Sequence, residues 1–142
     1  MVDRQTLVRL LEAPERASAS QLYGVALDAL DYDLEPEIIA ALTPRLASGG
    51  GAAGDYRLWQ VLGLAHRQQL ASAAAEAAFA RAHALAPTNA LIAHSLARSR
   101  LEAGRPDVEA FDAALALAPG DQSIVQGRML ALLATGEGAR AL

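Results

Sequence analysis

The chain has 142 residues, a formal net charge of −4 and no Cys, which excludes disulfide frameworks, thiolate zinc sites and cysteine nucleophiles together. A chain of this length buries roughly 68 to 70% of its unfolded surface, so it needs no metal or cross-link to fold. The acidic balance and 4% aromatic content argue against a nucleic-acid partner, while about a quarter Ala predicts closely packed helices. All 12 basic residues are Arg, which reads as the habit of a GC-rich bacterial genome. Asp3, Arg4, Arg9 and Glu12 occupy what would be the apolar core of a signal peptide, and no uncharged apolar run of about 18 residues occurs. A cytoplasmic location without a membrane partner is the expectation.

Along the chain, residues 6–11 form a short apolar-periodic stretch that ends near Pro14. Ser18 or Ser20 is placed to cap a second helix that runs to about Asp31, with Leu22, Val25, Ala26, Ala29 and Leu30 on one face. A third helix opens at Pro36, with Glu35 and Glu37 beside the positive end of its dipole, and Pro44 is expected to kink or restart it. Helices over 20–30 and 36–47 then make one hairpin. Residues 48–54, Ser-Gly-Gly-Gly-Ala-Ala-Gly, are too rich in Gly to hold a helix and read as a flexible joint. Charge divides there too, with nine acids and four Arg before residue 56 and seven acids and eight Arg after it. The expected organisation is a helical segment over 1–48, a linker over 49–54 and a second unit over 55–142 that packs separately.

The second part repeats. Phe79, Ala82, Leu85, Ala86 and Pro87 recur 32 residues later as Phe111, Ala114, Leu117, Ala118 and Pro119, and Leu62 recurs as Leu96 after 34. A period in the thirties with two helix-length segments is the signature of a helical solenoid. Residues 56–89 supply Trp59, Leu62, Gly63, Ala75, Phe79, Ala82 and Pro87 at the spacing W-x₂-L-G-x₂-Y, A-x₃-F, P, with His66 in the Tyr slot. In these residues the chain resembles the tetratricopeptide repeat family. The second copy, 90–121, carries Ala93 in the Trp slot, Leu96 and Ala97 in the Leu-Gly slots and Gly104 at the interhelical turn, where two residues are missing around Arg105-Pro106-Asp107. That loss reads as a shortened turn. A third copy, 122–142, starts with Ile124, Val125, Met129 and Leu132, has Gly136 at its turn, and reaches only Ala139–Leu142 of a second helix. Ending mid-unit suggests a piece of a longer protein.

The resemblance implies an all-α, right-handed solenoid of helix-turn-helix hairpins with a divergent N-terminal part. Trp59 and Phe79 are then the large residues of one unit, and Gly63, Ala75 and Ala82 the small ones that let its helices approach. Pro87 ends the second helix, and Thr88 or Asn89 offers an oxygen to the next. All of these fold the chain; none names a ligand.

The chemistry-bearing residues point to no reaction. His66, His83 and His94 lack the spacing of a helical zinc site. In Asp31-Tyr32-Asp33-Leu34-Glu35-Pro36, Pro stands where a calcium loop needs Gly, so these acids and Asp28 read as a solvated turn. No Gly-x-Ser-x-Gly elbow is present, and the glycines at 49–51 lack the Lys of a phosphate loop. Neither a metal nor a cofactor is expected.

What remains is the inner face of the first helices. The resemblance implies that it meets the ligand, which assigns Arg57, Gln60, Leu64, Arg67 and Gln68 in one unit and Leu91, His94, Arg98, Leu101 and Glu102 in the next. Stacked, they give a mildly cationic strip edged by Leu, suited to an extended peptide with an acid for the Arg forks. The Lys/Asn/Arg clamp of the family members that hold chaperone tails is absent, its places filled by Gln60, Leu64, Ser95, Ser123 and Gly127. The expected function is non-catalytic binding of a protein or peptide through the groove around 57–102. Two other readings stand beside it. One is a docking region ahead of a catalytic domain, as in similar bacterial sulfotransferases and oxygenases. The other is a homo-oligomer formed through Val125, Met129, Leu132 and Leu133 of the last helix.

Overall fold

The computed structural model describes residues 3–49 and 51–136. Within them the chain forms α1 (Arg4–Glu12), α2 (Ala19–Leu30), α3 (Glu35–Ala47), α4 (Tyr56–Gln68), α5 (Ser72–Leu85), α6 (Ala90–Glu102), α7 (Val108–Leu117) and α8 (Gln122–Thr135), with no strand. Short side-chain oxygens start most of these helices by accepting the first-turn N–H groups that lack helical partners. Ser18 caps α2 in a reciprocal box with Gln21. Asp55, Asn89 and Asp121 cap α4, α6 and α8, so the cap repeats with the period of the units. Ala86 and Ala118 close α5 and α7 immediately before Pro87 and Pro119.

Each helix packs on its neighbour in sequence from α3 through α8, and α2 also lies against α4. This nearest-neighbour stacking is the solenoid architecture. At the N-terminal end α1 packs on both α2 and α3, giving a three-helix group in place of a simple hairpin.

Two expectations about the first half are corrected. It does not pack separately, because Leu7, Leu22, Ile38, Leu42 and Leu46 form one apolar cluster with Leu58, Val61, Leu62 and Ala65 of α4. The joint is pinned: Ala52–Gly54 forms a 3₁₀ turn, Ala52 is buried, and the Trp59 indole N–H donates to the Ala53 carbonyl at 2.8 Å. Gly50 lies outside the described residues. Nor does Pro44 restart a helix, since α3 runs through it. Ile38, Ala41, Leu42 and Leu46 are buried on both sides of the proline, and Arg45 donates to the carbonyls of Pro14 and Ala17. Tertiary packing overrides the local penalty.

A third correction concerns the second repeat. Its interhelical connection, 103–107, is longer than that of the first, 69–71, and the deficit falls on the helix: α7 has 10 residues against 14 in α5. Pro106 and the Asp107 cap delay the start by about one turn.

Trp59 is also less central than the repeat pattern implies. It is half-buried, with the Arg81 guanidinium 5.1 Å from its ring centre, whereas Phe79 and Phe111 are fully buried. These two phenylalanines use glycine differently. A Cβ on Gly63 would lie 2.7 Å from the ring of Phe79, its partner within the unit. In the next unit Ala97 holds that place, and Phe111 presses instead on Gly127 of α8, beyond its own unit.

Candidate functional site

The first helices α4, α6 and α8 stand in succession, and their shared face carries two adjoining hollows. Leu64, Arg67 and Gln68 of α4 line one with Glu102 of α6, about 370 Å³ in volume. His94, Arg98, Leu101 and Glu102 of α6 line the other, about 330 Å³, with Ser123, Gln126, Gly127 and Leu130 of α8. Glu102 belongs to both and organises them. The Arg67 Nε donates to Glu102 Oε1 at 3.1 Å across the two helices, and the Arg98 Nε lies 3.9 Å from the same oxygen. The terminal nitrogens of both guanidinium groups bond to no described residue.

Seven of the ten residues expected on this face from the sequence therefore meet: Leu64, Arg67, Gln68, His94, Arg98, Leu101 and Glu102. Arg57 lies elsewhere. It binds Asp55 through Nε at 3.0 Å and Nη2 at 2.8 Å, reaches Ser20 Oγ at 3.1 Å, and stacks 5.0 Å above the Tyr23 ring, so it fastens α4 to α2. Hydrogen bonding to Arg57 holds the Asp55 carboxyl below the usual carboxylate range and raises the guanidinium in return. Gln60 is half-buried and Leu91 exposed, and neither lines a hollow. Sequence reasoning reached Ser123 and Gly127 only as places of the absent clamp and stopped short of Gln126 and Leu130, although carrying the 32-residue offset one step past His94 and Arg98 reaches them.

Glu102 also tempers the charge, since two Arg share one carboxylate. His94 adds none at neutral pH. Burial lowers its pKa, Arg98 and Arg67 push the same way against Asp121, and its ring tilts on Phe111 with centroids 6.1 Å apart. Burial likewise lowers His66. His83 is half-buried, with Nδ1 unpartnered among the described residues. Among these residues no three His, Asp or Glu side chains gather as a metal site, and no helix is long and apolar enough to cross a membrane.

Beyond the hollows, Val125, Met129 and Leu133 of α8 are exposed. Val125 and Met129 hold the places of Ala93 and Ala97, 32 residues earlier, which in α6 pack against Phe111 of α7. The partial second helix expected over 139–142 lies outside the described residues.

No protein-family model and no curated relative matches the chain. Among solved structures it is similar to the crystal structure of MamA, at 22% identity and a TM-score of 0.80, over 96% of this chain and 79% of that one. The likeness is one of fold, a helical solenoid of the tetratricopeptide type.

Proposed function

We propose that the chain is a non-catalytic member of the tetratricopeptide-type scaffolds and binds an extended segment of a partner protein along the inner face of α4, α6 and α8. The observation that carries this is the Arg67–Glu102–Arg98 cluster. Glu102 orients two guanidinium groups from successive units while leaving their terminal nitrogens free. Leu64, Leu101 and Leu130 flank them with apolar surface. A peptide with an acidic side chain between two apolar ones satisfies both features, the acid accepting from the free fork nitrogens.

The test is selection from a random peptide library, followed by NMR mapping of the binders. Selected sequences are expected to be enriched in an acid flanked by apolar residues and to shift the amides of Leu64, Arg67, His94, Arg98 and Leu101. Arg67→Ala combined with Arg98→Ala is expected to weaken them at least tenfold while changing stability by less than about 1 kcal/mol, because exposed ion pairs contribute little to folding. Binders that ignore this double variant would overturn the assignment of the surface.

A further inference from the structure

A second concavity lies far from the groove, between α1 and α2. Its volume is about 700 Å³, within the range of small-molecule sites. Leu10, Leu22 and Val25 give it an apolar floor, and Arg9 and Arg16 stand on its rim. The charge placement is selective. Of the four Arg before residue 56, Arg4 donates to the Tyr32 carbonyl and Arg45 to those of Pro14 and Ala17. Arg9 and Arg16 form neither a hydrogen bond nor an ion pair with any described residue, and both face this cleft. Asp28, near the C-terminal end of α2, is the single acid among the lining residues.

Gly24 lines the cleft. It sits inside α2, where glycine weakens a helix, yet an added Cβ would meet nothing within 4 Å. Gly63 and Gly127 differ, because each admits a phenylalanine ring. At Gly24 the absent side chain leaves space that faces the cleft.

We infer that this cleft binds an apolar anion, a free medium-chain carboxylate whose chain lies on Leu10, Leu22 and Val25 and whose head accepts hydrogen bonds from Arg9 and Arg16. Isothermal titration calorimetry with decanoate, octanoate and decyltrimethylammonium, all below micelle-forming concentrations, tests it on the full chain. Decanoate is expected to bind one to one, octanoate about tenfold more weakly from the loss of two buried methylenes, and the cation about tenfold more weakly than decanoate for want of the charged hydrogen bonds. Arg9→Gln with Arg16→Gln is expected to erase the preference for the anion. Gly24→Leu is expected to abolish decanoate binding with an undiminished melting temperature. Should that variant fail to fold, Leu10→Glu at an exposed site puts a repelling carboxylate in the cleft and is expected to weaken decanoate instead. Unsaturable heats, equal binding of the cation, or decanoate binding indifferent to the Arg variants would overturn the proposal; the last outcome would mean an apolar face that serves a neutral protein segment.

Discussion

Two chemically identical substitutions are expected to change stability in opposite directions. Gly24→Ala adds a methyl group in open space, so the helix gains the propensity difference of about 1 kcal/mol. Gly63→Ala gains the same propensity, but its new Cβ would stand 2.7 Å from Cε1 of Phe79, with two more ring carbons at 2.9 Å. Ordinary carbon contacts lie at about 3.5 to 4.0 Å, so the overlap approaches 1 Å. The ring has little room to retreat, because Phe79 is fully buried and clustered with Ala75 and Leu96. Overpacking of this kind costs about 1 to 3 kcal/mol, which leaves a net loss of about 1 kcal/mol and a difference of about 2 kcal/mol between the variants. Urea titrations followed by far-UV circular dichroism resolve such a gap. A further arm adds Phe79→Leu, which is expected to relieve the clash, so that the double variant is more stable than the summed single effects by about 1 kcal/mol. A Gly63→Ala protein stabilised as much as Gly24→Ala would refute the close contact between α4 and α5 on which the repeat register rests.

Leu70 is 88% exposed and held at φ +61° on the turn where Gly104 and Gly136 occupy the equivalent left-handed position. Leu70→Gly is expected to raise stability by about 0.5 to 1 kcal/mol, since the strain relieved exceeds the added freedom of the unfolded chain; calorimetric melting checks this. Burial lowers the pKa values of His66 and His94, so the unfolded chain takes up protons first. Stability is then fully present above the unfolded value near 6.5 and falls as the pH drops from there toward the lower folded values. Melting temperatures between pH 7 and pH 5 are expected to decline less in a His66→Gln, His94→Gln variant than in the parent.

What the sequence discloses is mostly local. The caps at Ser18 and Asn89, the stops before Pro87 and Pro119 and the two buried phenylalanines are legible because each depends on near neighbours in the chain. Leu64, Arg67, His94, Arg98 and Leu101, which the family resemblance puts on one face, do line the two hollows, since residues on successive first helices share a side of the stack. Arg57 is misread because its partners include Ser20 and Tyr23, more than thirty residues away. The bridging role of Glu102 rests on Arg67, 35 residues earlier, and spacing alone cannot show that one carboxylate serves two units. The joint near residue 50 looks loose by composition, yet the buried Ala52 and the Trp59 indole fasten it, a tertiary effect. Pro106 was visible throughout, but only the fold shows that it removes residues from α7 and leaves the turn long.

The outward reach of Phe111 bears on how this molecule comes apart. In the unit of α4 and α5 the large ring closes on its own glycine, so those helices can hold together when a neighbour opens. In the next unit the ring is keyed into α8, and Ile124 and Ala131 of that helix complete the cluster around it. The C-terminal end is therefore expected to open as a single block, because withdrawing α8 uncovers the ring that anchors α7. Amide exchange of α7 and α8 would then share one opening energy, while α4 and α5 retain a higher one.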